Sequence, residues 1–129
     1  MRSITVMIAA VLAATSLEAA AERYTAQDIR DGIVGRRIFL AVPFGGEFPL
    51  NYREGGRVDG SGEALGLGRF AKPNDTGSWW IEADRLCQRF LSWYGGTAMC
   101  FDLYRIDDKR LKWIRNDGKA GTARIGPRL

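Results

Sequence analysis

The chain has 129 residues with 19 Lys and Arg, 15 Asp and Glu and no histidine, which gives a formal net charge of +4 at pH 7. The absence of histidine excludes Ser-His and Cys-His nucleophilic catalysis and most zinc catalysis, because those sites depend on an imidazole. Two cysteines without histidine also make a poor metal site. We therefore expect no catalytic residue, no metal site and no cofactor, and predict that the protein is not an enzyme.

Residues 1–21 have the anatomy of a secretory signal peptide. A positive residue stands near the start, an apolar run covers residues 4–17, and an Ala-x-Ala signature predicts cleavage between Ala21 and Glu22. The run is too short for a membrane-spanning helix, which needs about 20 apolar residues. We expect residues 22–129 to form a single β-rich domain in the periplasm or outside the cell, with no transmembrane segment.

The basic excess lies in the last quarter of the chain. Residues 22–104 carry ten Lys and Arg against eleven Asp and Glu, whereas residues 105–129 carry eight against three. One interpretation is a solvated outer face of the terminal strands. The alternative is a contact surface for an anionic envelope component or an acidic protein; nucleic acid is a poor partner for an exported protein. The candidate contact residues are Arg110, Lys112, Arg115 and Lys119.

A short helix is predicted at the start of the mature chain. Thr25 can cap its N-terminus, and Asp28 follows three residues later, near the positive end of the helix dipole. Gly32 or Gly35 can end it. An apolar pair four residues apart gives this helix one narrow face to bury.

After Gly35, short apolar runs alternate with turn residues, which is typical of an all-β domain. A small antiparallel, barrel-like meander of about eight strands is predicted, because closure removes exposed sheet edges; a sandwich is the alternative. The third run is rich in glycine and predicts a bent or bulged strand, and a polar loop is predicted over Lys72–Ser78. The predicted strands are Arg36–Val42, Glu47–Arg53, Arg57–Gly68, Trp79–Ala83, Leu86–Trp93, Thr97–Arg105, Arg110–Arg115 and Ala120–Ile125.

Cys87 and Cys100 are expected to form a structural disulfide, because an exported chain meets an oxidising compartment. Their spacing is unlike the C-x-x-C of redox-active pairs. If the two residues face each other directly, Arg85 lies opposite Asp102, and one face of the hairpin becomes an apolar wall; a diagonal pairing would move the cysteines inward. The wall predicted by the direct register consists of Leu86, Phe90, Met99, Phe101 and Leu103.

The tryptophans allow two interpretations. Strand alternation sends Trp79 and Trp80 to opposite faces, so both cannot lie in the core. One interpretation is core packing plus an aromatic side chain at a rim. The other is a contact site for a sugar or a protein partner. The best candidates for such a site are Trp80, Trp93 and Tyr94.

A spaced pattern runs through the second half of the chain: Gly77-Ser78-Trp79, Leu86-Cys87, Cys100 and the closing Asp117-Gly118. This pattern resembles a family of short, exported, uncharacterised proteins from proteobacteria, mainly alphaproteobacteria. The resemblance supports a β-rich domain and implies neither an activity nor any site residues.

The expected function is that of a non-enzymatic binding or interaction module of the bacterial envelope. Its basic C-terminal strands would contact an anionic envelope component or a periplasmic protein. The alternatives are a lipocalin-like carrier of a small molecule, although a 108-residue barrel is expected to leave little interior room, and an inhibitor of an exported enzyme. The sequence does not predict the oligomeric state.

Overall fold

The computed structural model describes residues 2–7, 22–43, 45–62 and 74–129, and in these ranges a short helix precedes eight antiparallel strands. The elements are α1 (Ala26–Gly32), β1 (Arg36–Ala41), β2 (Glu47–Arg53), β3 (Arg57–Ser61), β4 (Asn74–Glu82), β5 (Arg85–Phe90), β6 (Met99–Arg105), β7 (Arg110–Arg115) and β8 (Ala120–Arg128). Each strand pairs with the next along the chain, and β8 pairs with β1. The sheet therefore closes into a barrel, as predicted.

Two boundaries differ from the prediction for identifiable reasons. The predicted polar loop Lys72–Ser78 is wrong from Asn74 onward, because β4 begins there. The carboxylate of Asp75 accepts two backbone N–H groups of the loop after β5, at 2.7 and 2.8 Å, so a polar residue is satisfied inside the barrel. Strand β5 ends at Phe90, short of the predicted Trp93, because the chain turns there and Trp93 lies in a short 3-10 turn over Trp93–Gly96.

The glycine-rich run is described only in part. β3 covers its first five residues, and residues 63–73 lie outside the described ranges. The same holds for residues 8–21 of the predicted signal peptide. In the described part of the chain, no helix is long and apolar enough to cross a membrane.

Helix α1 closes one end of the barrel. Thr25 and Asp28 form the capping box, with the Asp28 N–H donating to Thr25 Oγ1 (3.2 Å) and the Thr25 N–H donating to the Asp28 carboxylate (2.8 Å). Asp84, in the turn between β4 and β5, accepts the backbone N–H of Ala26 at 2.8 Å. Ile29 is fully buried against the barrel residues. The predicted cap is confirmed, and the helix is fixed to the strand ends that it covers.

The Cys87–Cys100 disulfide is formed, and the two residues lie directly opposite each other on β5 and β6. This register turns the predicted apolar wall inward. The ion pair that the register allowed between Arg85 and Asp102 is not formed. Asp102 accepts Arg23 instead, at 2.8 Å, because the residues before α1 run along β6.

Candidate functional site: the barrel cavity

The barrel encloses a cavity of about 550 Å³, within the range of about 300–1,000 Å³ that is typical of small-molecule sites. Its lining reaches from Ile33, just after α1, to Val42 and Tyr94 in the loops at the opposite end. The cavity is therefore closed by the helix and has its mouth among the loops after β1, β5 and β7. The expectation of little interior room is wrong.

Glycines on the wall explain much of this room. A Cβ at Gly121 would lie 2.5 Å from Cζ2 of Trp113, which is opposite it in the register of β7 and β8. A Cβ at Gly60 would lie 2.9 Å from Cζ3 of Trp93. Each indole ring thus packs against the backbone of a glycine, in the space that the side chain of any other residue would fill. The centre of the barrel therefore stays open.

The cavity wall is mostly apolar, with one buried polar pair on it. The Tyr52 hydroxyl donates to Oε1 of Gln88 at 2.6 Å, and both residues are at least 96% buried. Burial raises the pKa of Tyr52 well above its usual range, so the phenol is neutral at physiological pH. The pair places a hydroxyl and a carboxamide where a ligand in the cavity can reach them.

Two N–H donors of the wall have no acceptor. Nε1 of Trp113 is buried without a hydrogen-bond partner in the described part of the chain. The Nε2 amide of Gln88 likewise has no partner among the described residues, since the hydrogen bond of this side chain is made by Oε1. A buried donor without an acceptor costs about 1–3 kcal/mol. Nε1 of Trp113 is closed off from solvent, so a ligand oxygen in the cavity can accept a hydrogen bond from the Gln88 amide but not from this indole N–H.

Arg115 brings a positive charge to the mouth. Its side chain is only 11% exposed, and Nε and Nη2 donate to the two carboxylate oxygens of Asp117 at 2.8 and 2.6 Å. Nη1 lies 3.6 Å from the sulfur of Met99, and the guanidinium carbon lies 5.5 Å from the centre of the Tyr94 ring. The hydrogen bond from Arg115 lowers the pKa of Asp117 to about 2.

Tyr94 adopts a backbone conformation that non-glycine residues rarely take. Its φ is 57°, and the next two residues, Gly95 and Gly96, also have positive φ. Such a conformation costs of order 1–3 kcal/mol at a non-glycine residue and is found preferentially at ligand sites. Here it holds a half-exposed phenol ring at the rim of the cavity, against Arg115.

The three aromatic candidates separate in the structure. Trp93 and Tyr94 line the cavity, and the Trp93 ring packs 5.0 Å from that of Phe90. Trp80 lies on the outer face of β4, opposite Cys87, and its Nε1 donates to Glu82 at 3.4 Å. The predicted set is therefore not one site, because strand alternation sends Trp80 to the other side of the wall.

The four basic candidates do not form one surface either. Arg115 turns towards the cavity mouth, and Arg110 is paired with Asp107 at 2.8 Å on the outside. Lys112 and Lys119 are exposed and form no ion pair in the described ranges, although Lys119 lies close enough to Asp117 to lower the pKa of that carboxyl. The charge excess of the C-terminal strands is thus divided between the mouth and the outer wall.

The acidic residues near the disulfide have structural contacts. Oε2 of Glu82 lies 3.9 Å from Sγ of Cys87 on the outer face. Because the two sulfurs are bonded to each other, this cluster offers no thiolate to a metal ion.

Sequence reasoning missed two polar residues of the cavity, Tyr52 and Gln88, and did not place Trp113 among its best candidates. Gln88 carried a usable signal, because it alternates with Leu86 and Phe90 and so had to be a polar residue on the predicted apolar wall. The position of Trp113 had no such signal, since it depends on the glycine opposite in the register.

Comparison of the chain with protein-family models, with curated proteins and with solved structures finds no match. The geometry of the cavity is therefore what bears on function.

Proposed function

We propose that this protein binds an apolar small molecule inside its barrel. The observation that carries the proposal is the apolar cavity of about 550 Å³, closed by α1 and lined at its mouth by Tyr94 and Arg115. Eight-stranded barrels are just wide enough to hold one small ligand. A cavity of this kind, with a few polar groups that can orient the ligand, is the usual form of a small-molecule site.

The proposed setting is the periplasm or the medium outside the cell. The leader-like sequence of residues 1–21 supports export. The disulfide is compatible with an oxidising compartment. In that setting a barrel with an apolar interior would carry or sequester molecules that water dissolves poorly.

The experiment is a fluorescence titration of the mature, oxidised protein with N-phenyl-1-naphthylamine, a dye that brightens in apolar surroundings. The test variant is Ala123→Phe, which adds a ring to a buried residue of the cavity wall. The control is Thr122→Phe, next to it on the exposed face of β8. We expect saturable binding by the wild type and by Thr122→Phe, and at least about tenfold weaker binding by Ala123→Phe.

Melting curves establish that both variants fold. If Ala123→Phe does not fold, competition decides: an apolar competitor that does not fluoresce must displace the dye from the wild type. Dye binding that is absent in the wild type, or equal in the two folded variants, contradicts the proposal.

Binding at the outer basic face is a second candidate function, supported by Lys112 and Lys119, which are exposed and form no ion pair in the described ranges. We propose a weak, salt-sensitive contact with an anionic envelope component at this face. The test is sedimentation with vesicles that contain an anionic lipid, at low and at physiological salt. The proposal is contradicted if the fraction of protein that sediments with the vesicles does not change with salt. It is also contradicted if that fraction is unchanged in the double variant Lys112→Gln and Lys119→Gln.

A further inference from the structure

The cavity wall carries two N–H donors that lack a strong acceptor among the described residues. They are Nε2 of Gln88 and Nη1 of Arg115, and the contact that Nη1 makes is with the weakly accepting sulfur of Met99. A thioether is a poor acceptor. A ligand that satisfies these donors must offer oxygen acceptors, such as those of a carboxylate, a carbonyl or an ether.

The described part of the cavity wall carries positive charge only. Arg115 is the single charged residue among the described residues that line the cavity. Asp117 accepts hydrogen bonds from Nε and Nη2 of Arg115 but not from Nη1. Lys119 is close enough to Asp117 to lower the pKa of its carboxyl further. Among the described residues, Arg115 and Lys119 thus place two positive charges near the single carboxylate of Asp117. An anionic group is favoured there, and a cationic one is opposed.

The arginine is already held in place. The bidentate contact with Asp117 and the ring of Tyr94 fix the guanidinium, so a ligand pays little conformational entropy to order it. At the other end of the cavity the wall contains Ile33 and Leu103, where an unpaired charge would be strongly destabilised. A charged group is therefore accommodated at the mouth and an apolar chain in the interior.

We propose that the ligand is an anionic amphiphile, with its apolar chain inside the barrel and its head group at the mouth, accepting a hydrogen bond from Nη1 of Arg115. This inference rests on the proposed function and adds the chemical class and the orientation of the ligand. The experiment therefore compares probes that share a chain and differ in the head group.

The probes are dodecanoate, dodecanol and dodecyltrimethylammonium, each used below its aggregation limit to displace N-phenyl-1-naphthylamine at pH 7. Dodecanoate is expected to bind most tightly and the ammonium most weakly. Arg115→Gln is expected to weaken dodecanoate binding by about tenfold or more, the loss that corresponds to one charge-assisted hydrogen bond, and to leave dodecanol binding within about twofold. Arg110→Gln is the matched control, since Arg110 lies on the same strand and pairs with an aspartate on the outer face.

A second variant tests the same contact in the opposite direction. Asp117→Asn removes the competing carboxylate, so dodecanoate is expected to bind more tightly, by about threefold or more. Dodecanol that binds the wild type as tightly as dodecanoate would overturn the inference, as would equal dodecanoate affinities of Arg115→Gln and Arg110→Gln. If none of the three probes displaces the dye, the proposed function itself fails. Thermal melts show whether each variant is folded. If Arg115→Gln does not fold, the affinities of the three probes for the wild type decide the question.

Discussion

At the scale of single residues, the interior of this barrel depends on where two tryptophan rings lie. Trp113 rests over Gly121 on the neighbouring strand, and Trp93 rests over Gly60. Neither contact follows from alternation alone, which predicts only that a side chain faces inward. This is why the sequence predicted the wall of the barrel but not the size of its cavity.

Gly121→Ala should displace the Trp113 ring, because the new Cβ would lie 2.5 Å from Cζ2. We expect a loss of about 1–3 kcal/mol in the free energy of unfolding, the usual cost of overpacking. The control is Gly32→Ala, where the new Cβ would lie at an ordinary 3.7 Å from Tyr24 and helix propensity favours alanine. Urea denaturation measures both. Equal stabilities of the two variants would show that Trp113 does not depend on Gly121.

The Arg115–Asp117 pair gives the fold a pH dependence. The pKa of Asp117 is lowered from 3.8 to about 2 by the hydrogen bond from Arg115. A carboxyl whose pKa falls on folding stabilises the protein above its unfolded pKa, and this stabilisation is lost as the pH falls from about 4 to about 2. An NMR titration of the Asp117 carboxyl should give a midpoint near 2 in the wild type and a higher one in Arg115→Gln. An unchanged midpoint would show that the pair does not form in solution.

At the scale of elements, the hairpin of β5 and β6 was the best predicted part of the molecule. The two cysteines determine the register if they face each other, and that register orients every neighbouring side chain. The Thr25 cap of α1 was equally predictable, because the capping residue and the helix that it caps are adjacent in sequence. The contact of α1 with Asp84 could not be predicted, since it joins residues that are 58 positions apart in sequence.

The disulfide on this hairpin should stabilise the protein by about 3 kcal/mol, because it closes a loop in the unfolded chain. The double substitution Cys87→Ser and Cys100→Ser is expected to lower the free energy of unfolding by about that amount in urea, with little change in the native circular dichroism. A denaturation midpoint equal to that of the oxidised wild type would mean that the bond adds no stability.

At the scale of the whole molecule, strand count and closure could be predicted because turn residues separate the short runs that form the strands. The candidate site could not be predicted, because its residues come from β2, β5, β7 and the loop after β5. Only closure of the barrel brings these residues together. Predictions from local runs assigned the basic residues to one outer surface. The barrel instead turns Arg115 to the mouth and leaves Lys112 outside.

The most direct test of the central claim, that the interior of the barrel is the binding site, is an NMR titration of ¹⁵N-labelled protein with dodecanoate. The indole N–H of Trp113 and the side-chain amide of Gln88 lie on the cavity wall, whereas Lys112 and Thr122 lie outside. We expect the Trp113 and Gln88 signals to shift saturably with one equivalent bound while those of the outer residues stay in place. Shifts confined to Lys112, Thr122 and their neighbours would contradict an interior site.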